Sequence, residues 1–222
     1  MQYEVLMATV KRPDRLTPVL RLCSELFDDN QCRAIRRDID NLVANNDMSQ
    51  HVQRQVLYHT YHHIFAMILR ADELAQKRAM SLDDRCKLFI AILYHDYEHS
   101  FGRYSDTLNV SKSIRMFDRA FCRILFSDEF ITDVCDMIFC TVFPFRVEPR
   151  NELECIIRDC DLTMSLEEDR ELFAAGLTSE FANGGKKIIV HGFDMYNFAQ
   201  SQTFYTPEIA ELFRNKITVC MD

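Results

Sequence analysis

Apolar residues recur three or four positions apart over most of the chain, which is the spacing of one face of an α-helix. Within residues 14–43 the pattern runs through two short stretches, Leu16 to Phe27 and Ile35 to Leu42. The polar string NND at 45–47 is expected to end it. From about Ser49 to Ala75 the spacing predicts one long helix, with one side formed by Val52, Val56, His59, His63 and Met67.

Later helices are predicted by their start signals as well as by spacing. Ser81 followed by two aspartates is typical of a helix N-terminus, because a hydroxyl caps free N–H groups and acidic residues suit the positive end of the dipole. That helix is very apolar and ends in the string YHDYEHS at 94–100. Further helices are expected at about 110–126, from 127–129 to near Pro144, at 151–162, at 166–182 and after Thr206–Pro207.

Glycine and proline are scarce, with 5 of each in 222 residues. A β-sandwich or barrel needs turn residues every ~8–12 positions, so this scarcity favours long helices. The string NGG at 183–185 is the one clear glycine break, and no repeat, low-complexity tract or linker divides the chain. We therefore expect a single all-α domain over residues 1–222, built as a multi-helix bundle.

The charge pattern limits the classes of ligand. The chain has 34 acidic and 26 basic residues, which gives a formal charge of −8. Proteins that follow a nucleic-acid backbone usually have an excess of lysine and arginine, so extended contact with nucleic acid is not expected. A small phosphate ester remains compatible, because bound cations can bridge two negative groups.

The cysteines and the apolar runs indicate where the protein works. Nine cysteines are scattered, mostly within apolar helical patterns, and no CxxC pair occurs. We expect buried free thiols in a reducing compartment. No secretory signal is visible, and the longest apolar runs fall far short of the ~20 residues that span a bilayer. The expected location is the cytoplasm, with no membrane contact.

Three of the 7 histidines fall within five positions, in the string YHTYHH at 58–63. On a helix His59 and His63 would share a face because they are four apart, and His62 lies three from His59. Spacing alone therefore leaves open which pair converges. A single histidine in an apolar helix is more often a packed core residue, whereas two on one face favour a shared site.

A second string, YHDYEH at 94–99, places His95 beside Asp96 at the end of an apolar helix. A buried, ionised aspartate is costly unless it is paired or binds a cation. Imidazole and carboxylate together suit a divalent metal such as Zn, Mn, Fe, Ni or Co. A third string, RDCDL at 158–162, ends another apolar helix with Asp159 and Asp161. Asp159 taken alone is interpreted as an ordinary helix-end residue.

In this order the strings YHTYHH, YHDYEH and RDCDL resemble the motifs of the HD-domain superfamily of metal-dependent phosphohydrolases, an all-α family. The motif-bearing core covers about residues 50–165. The resemblance implies an HD-type bundle with a metal site in its core, and it leaves His62 to packing. The implied metal ligands are His63, His95, Asp96 and Asp161.

More narrowly, Tyr58, His59 and His63 are similar to the Y-H-N-x-x-H motif of class I cyclic-nucleotide phosphodiesterases, and HDYEH at 95–99 is similar to their H-D-x-x-H. This likeness implies that His59 is the general acid and that His99 supports the region of a second metal. Thr60 stands where that family has asparagine, and QSQTF at 200–204 is the nearest string to its C-terminal Gln-x-x-Phe. Length favours small HD phosphohydrolases of bacteria and viruses, which the chain also resembles.

The resemblance implies one or two divalent ions, drawn from Mn, Fe, Ni, Co, Zn and Mg. Two ions sharing Asp96 would neutralise a phosphoryl oxygen and generate hydroxide from water. His59 would protonate the leaving oxygen, an effect that is typically worth ~10²–10⁴-fold. The expected partner is a small-molecule phosphoester substrate, a nucleotide, with cyclic or linear phosphodiesters as the leading case.

The polar loop at 99–112 is the candidate substrate-binding segment. Arg103 and Lys112 are candidates for contact with the phosphate, and Asp106 and Asn109 for contact with the base, the sugar or the metal ligands. An equally supported alternative is a solvated loop in which Asp106 or Asn109 caps the next helix. The acidic string SLEEDRE at 165–171 is expected to be a solvated helix face, and the two remaining histidines are interpreted as structural: His51 and His191.

Two other functions fit an HD-type sequence. Some HD proteins hold two irons and act as oxygenases, but these usually need additional histidine ligands, and His99 is the one obvious spare. The other alternative is a non-catalytic HD module that binds a nucleotide or a partner protein. A module of that kind need not keep the whole ligand set, which argues for the hydrolase.

Overall fold

A computed structural model describes residues 11–53, 56–120 and 122–219 of the chain. Its α-helices are α1 Leu16–Leu26, α2 Asp29–Gln53, α3 Tyr61–Lys77, α4 Leu82–His95, α5 Asp106–Ala120, α6 Cys122–Leu125, α7 Asp128–Cys140, α8 Glu152–Asp161, α9 Arg170–Asn183, α10 Gly192–Gln200 and α11 Pro207–Val219. A short 3-10 helix, Leu162–Leu166, follows α8 directly. The described residues form no β-strand, so the predicted all-α class is confirmed. Within them, no helix is both long and apolar enough to cross a bilayer.

Helix α4 lies at the centre of the packed helices because it is apolar on every side. It packs against α3, α5, α7 and α8, and every residue from Leu88 to Tyr94 is at most 2% exposed. A helix without a polar face has to be surrounded by other helices. Its C-terminal end therefore lies in the interior, and the polar pair His95–Asp96 that follows the apolar run is buried with it.

Short polar side chains begin three of the helices around this centre. The Ser81 side chain accepts from the Asp84 N–H at 3.1 Å, Ser127 accepts from Phe130 at 3.2 Å, and Asn151 accepts from Glu154 at 2.9 Å. Each of these bonds satisfies an N–H group that has no partner within its own helix. The predicted helix starts at Ser81 and Ser127 are confirmed.

The predicted long helix from Ser49 to Ala75 is wrong. Helix α2 runs through residues 45–47, where a break was expected, and continues to Gln53. The chain is not helical at 56–60, and α3 begins only at Tyr61. His59 and His63 therefore do not share one helical face, and His59 reaches the site from the segment before α3.

Contacts with α9 hold residues 56–60 in this non-helical path. The N–H groups of Tyr58 and His59 donate to the Glu180 carboxylate, at 2.7 and 2.9 Å, rather than to carbonyls one turn earlier. Gly176 of α9 lies so close that a Cβ there would come within 2.5 Å of the Tyr58 nitrogen. Tertiary contacts outweigh helix propensities, which differ by less than ~1 kcal/mol among ordinary residues.

Other boundaries also differ from those predicted. Helix α5 begins at Asp106 rather than near 110, and α7 ends at Cys140, before Pro144. The acidic helix begins at Arg170 rather than at 166, and its acidic string is not a solvated face. Arg15 lies 2.7 Å from the buried Asp169 and 2.9 Å from Glu167, so two of these acids form an internal ion-pair cluster.

Candidate metal centre

Three helix ends meet at one point in the interior. His63 lies in the first turn of α3, His95 is the last residue of α4 with Asp96 as its C-cap, and Asp161 is the last residue of α8. Both imidazoles and the Asp96 side chain are at most 6% exposed, whereas the Asp161 side chain is 23% exposed. The site is thus buried on the histidine side and reachable from solvent on the Asp161 side.

The ligating atoms of these four residues converge. The Nε2 atoms of His63 and His95 lie 3.2 Å apart. The Asp96 Oδ2 atom lies 2.9 Å from His95 Nε2 and 3.4 Å from His63 Nε2. The Asp161 Oδ1 atom lies 3.1 Å from His63 Nε2 and 4.0 Å from His95 Nε2. The four residues predicted as ligands are therefore brought together by the fold.

These separations fit the edges of a metal coordination shell. Ligand bonds of roughly 2.0–2.1 Å place neighbouring donor atoms about 2.9 Å apart in an octahedral site and about 3.3 Å apart in a tetrahedral one. The 4.0 Å separation between His95 and Asp161 is longer than either edge. Two imidazole nitrogens with two carboxylates form a mixed donor set suited to Zn, Mn, Fe, Ni or Co.

Contacts outside the donor set orient the His95 ring. Its Nδ1 atom lies 2.7 Å from the Ile92 carbonyl, so Nδ1–H donates there and leaves the Nε2 lone pair directed at the centre. The Nδ1 atom of His63 is buried and has no hydrogen-bond partner in the described structure, and the Tyr58 ring packs 4.8 Å from the His63 ring. His63 is therefore oriented by packing and His95 by a hydrogen bond.

Protons compete with a cation at this centre. Burial lowers the pKa of His95, but the charge and hydrogen bond of Asp96, together with the Asp161 charge and the Ile92 carbonyl, outweigh burial and raise that pKa to about 9. Burial raises the pKa of Asp96, but the charges of His95 and His59 outweigh it and hold that pKa well below its ordinary value. A proton shared among these groups replaces some of the charge that a divalent ion would supply.

A second histidine–carboxylate group lies next to the first. The Glu180 Oε2 atom lies 2.5 Å from His59 Nδ1, and Oε1 accepts the N–H bonds of Tyr58 and His59. The His59 and His99 rings are stacked with centroids 3.7 Å apart. The Phe101 N–H donates to His99 Nδ1 at 3.1 Å. We call His59, His99 and Glu180 the proton group. Both Glu180 oxygens and the Nδ1 atom of His99 already take part in hydrogen bonds.

The charges in and around the proton group give the two histidines very different pKa values. Burial opposes protonation of His59, but the charges of Glu180 and Asp96 outweigh burial and raise its pKa to about 10. Burial together with the neighbouring His59 charge lowers the pKa of His99 to about 4. His59 thus holds a proton at neutral pH and His99 does not. Their donor atoms lie within 4.8 Å of one another, so this group could also hold an ion if these hydrogen bonds were given up.

Glu180 is a site residue that the sequence did not reveal. It lies 121 positions after His59, in a helix to which the sequence assigned no site residue, and it is only 3% exposed. The loop that follows His99 packs against it, because a Cβ at Gly102 would lie 2.0 Å from the Glu180 carbonyl oxygen. Gly102 also has φ +89°, a conformation that favours glycine. No spacing signal marks a contact of this range.

His62 belongs to neither group. It is half-buried against Tyr61, and burial together with the charges of Arg12 and Arg15 lowers its pKa to about 3. Asp159 also lies apart from the donor atoms, because its Oδ2 accepts from the Tyr205 and Thr206 N–H groups and from the Thr206 hydroxyl. This agrees with its interpretation as a structural helix-end residue.

The candidate substrate-binding residues are not brought together. Arg103 is exposed, and the Lys112 ammonium lies 4.0 Å from the centre of the Tyr104 ring. Asn109 is 1% exposed and its side chain accepts from the Ser100 N–H at 3.2 Å, so it holds the loop rather than capping α5. Asp106 accepts from the Phe143 N–H at 2.6 Å.

Among these four residues, Asp106 is the one whose pKa is influenced by the charges of the metal centre. Burial raises its pKa to about 6, with Asp96 and Asp161 contributing in the same direction. Among the remaining histidines, His191 precedes α10 and its N–H donates to Asp194, which agrees with a structural role. The His51 side chain lies outside the part of the chain whose side chains are described.

Comparisons of the chain with protein-family models, with curated proteins and with solved structures gave no match. The resemblance to the HD superfamily therefore rests on the motifs of this sequence.

Proposed function

We propose that this chain is an HD-type, metal-dependent phosphohydrolase that hydrolyses a small phosphoester, a nucleotide, with cyclic or linear phosphodiesters as the leading substrates. The observation that carries the proposal is the grouping of His63, His95 and Asp161, whose donor atoms lie 3.1–4.0 Å apart, with the Asp96 carboxylate 2.9 and 3.4 Å from the two histidines. The side chains in question are those that the resemblance assigns as metal ligands.

The donor set supports a resident divalent cation held by His63, His95, Asp96 and Asp161. When bound, such a cation would polarise a phosphoryl oxygen and lower the pKa of a water molecule towards neutrality. The partial exposure of Asp161 leaves an approach for substrate on that side of the site. The chain itself supplies fixed, buried donors, so little reorganisation is needed when a charged substrate enters.

The proton group supports general acid catalysis by His59. Its Nδ1 is engaged by Glu180, so Nε2 is the nitrogen left to donate to a leaving oxygen. Glu180 also binds two N–H groups of the same segment, so the ring and its backbone are fixed by a single carboxylate. A cation in the neighbouring centre would lower the pKa of His59 from about 10 towards neutral pH, because like charges repel. A pKa near the working pH is the optimum for a general acid.

Substrate size follows from the charge and burial of the centre. With a formal charge of −8 the chain does not favour a long polyanion, and the donor atoms lie in the interior rather than on a groove. A mononucleotide or a cyclic nucleotide presents one or two phosphate charges, which bound cations can offset. Arg103 and Lys112 stay candidates for further contact with that phosphate.

A substrate and metal panel tests the proposal. Protein loaded with Mn, Ni, Co or Mg is assayed against cyclic nucleotides, cyclic oligonucleotides, nucleoside mono- and triphosphates and an aryl phosphate. We expect phosphate-ester hydrolysis that Asp96→Asn abolishes and His62→Ala leaves near wild type. Nucleotide binding without turnover under every metal would support the non-catalytic module instead. Tightly held iron with oxygen consumption would support the oxygenase.

A further inference from the structure

Two cysteines on helices that carry none of the metal ligands face each other. Cys23 lies on α1 and Cys32 lies in the first turn of α2, and their Sγ atoms are 3.6 Å apart. Cys23 is fully buried, whereas Cys32 is partly exposed. One thiol of the pair is therefore open to a small solute, and the other is shielded behind it.

The Cys32 sulfur has the surroundings of a thiolate. The Arg36 Nε atom donates to it at 3.3 Å, and the Ser24 hydroxyl lies 3.8 Å away. The guanidinium of Arg36 is itself fixed, because its other nitrogen donates to the Leu20 carbonyl at 3.0 Å and to Ser24 Oγ at 2.6 Å. A position in the first turn of a helix adds the positive end of the helix dipole.

These contacts distinguish Cys32 from five other described thiols, namely Cys23 and the four named below. Burial opposes ionisation of Cys32, but the hydrogen bonds from Arg36 and Cys23 outweigh it and lower its pKa. Burial raises the pKa of Cys23 to about 12, so the buried partner remains a thiol that can donate to Cys32. Burial also raises the pKa of several cysteines elsewhere: Cys86, Cys140, Cys155 and Cys160.

We propose that Cys32 is a modification site for hydroperoxides, at which the sulfur is oxidised and Cys23 resolves the product as an intramolecular disulfide. In the first step the Cys32 thiolate attacks one peroxide oxygen and the O–O bond breaks. The other oxygen leaves as water or an alcohol after taking a proton, and Cys32 becomes a sulfenic acid. Sulfur loses two electrons and the peroxide gains them.

In the second step the Cys23 sulfur attacks the Cys32 sulfur and loses its proton. The S–O bond breaks and water leaves, so the products are one disulfide and one water. The Sγ atoms must approach from 3.6 Å to about 2.05 Å, a movement of roughly 1.5 Å that rotation of the two side chains can supply. The disulfide would join α1 to α2 and would be reversed by a dithiol.

Mass mapping of peroxide-treated protein tests the site. Fully reduced protein is exposed to hydrogen peroxide, the reaction is stopped with catalase, and free thiols are alkylated before proteolysis. We expect one disulfide, between Cys23 and Cys32, that dithiothreitol reverses. In Cys23→Ser we expect dimedone to capture a sulfenic acid at Cys32, because the resolving thiol is gone. Cys155→Ser is the matched control, since that thiol is also partly exposed, and it should form the disulfide as wild type does.

The contribution of Arg36 is measured by alkylation, which needs no oxidant. Iodoacetamide should label Cys32 faster than Cys155 at neutral pH, and Arg36→Gln should slow labelling at Cys32 on the order of tenfold, the effect of about one pKa unit. The inference is overturned if dimedone labels Cys32 no more than Cys155 in Cys23→Ser, or if the peroxide-induced disulfide in wild type joins other cysteines.

Discussion

The metal centre and the proton group both combine two histidines with carboxylates. They differ in how many of their carboxylate oxygens are already hydrogen-bonded to backbone N–H groups. In the metal centre the Nε2 atoms of two histidines lie close to one another and to two carboxylates, and no backbone N–H bond to these carboxylates occurs among the described hydrogen bonds. In the proton group the Glu180 carboxylate is taken up by two backbone N–H groups and a ring nitrogen. The donor atoms of the first group could hold a cation. In the second group the Glu180 charge instead favours the protonated form of His59.

The largest effect should come from removing a donor of the metal centre. His63→Ala deletes one of two imidazole ligands, so we expect metal affinity to fall by more than the ~10–100-fold that loss of an outer contact costs. Hydrolytic activity should be lost with it. Metal content after dialysis and titration calorimetry measure the change.

The neighbouring histidine provides the matched control. His62 belongs to neither group of converging donor atoms, so His62→Ala should retain metal at wild-type stoichiometry. Equal loss of metal in both variants would mean that the assignment of ligands within residues 58–63 is wrong.

The next largest effect, on turnover without loss of metal, should come from the proton group. His59→Ala leaves all four donors in place, so metal content should stay near wild type while kcat falls by ~10²–10⁴-fold, the share typical of a general acid. Metal analysis and steady-state kinetics on the same sample give both readouts. If turnover survives at the wild-type level, His59 has no role as the acid.

The contrast between the two groups also shows what could be predicted from the sequence. Three of the metal donors lie where an apolar run stops, at His95–Asp96 and at Asp161, and such boundaries are visible in the spacing. His63 lies at a helix start that the spacing did not predict. His59 was predicted as a site residue, but on a helical face shared with His63, and the chain is not helical there. Its conformation is set by Glu180, 121 positions away, and local spacing carries no information on a contact of that range.

The loop at 99–112 shows the same limit. Asn109 was assigned to substrate or to a helix cap, but its amide holds the Ser100 N–H inside the loop. A polar residue in a loop can serve the substrate, the helix or the loop itself, and only tertiary structure distinguishes these uses. The apolar α4 was predictable because a helix without a polar face has to be buried among other helices.

A smaller effect is expected from Glu180→Gln. The amide keeps the shape of the side chain and can still contact the backbone, but it removes the charge that raises the pKa of His59. An acid must be protonated to act, so activity is lost as pH rises through its pKa. The alkaline limb of the pH–rate profile should therefore move at least about one unit lower than in wild type, with kcat near neutral pH less reduced than in His59→Ala.

The smallest effect concerns stability without metal. Asp96 raises the pKa of His95 in the folded protein to about 9, above its unfolded value near 6.5. The stabilisation is therefore complete below about pH 6.5 and is lost as pH rises through about 9. We expect the Tm of chelator-treated protein to fall by a few degrees across this window. With saturating metal the trend should reverse, because a cation binds the deprotonated imidazole and gains affinity as pH rises. If the Tm changed with pH in the same way in both forms, cation binding and protonation would not compete at this centre.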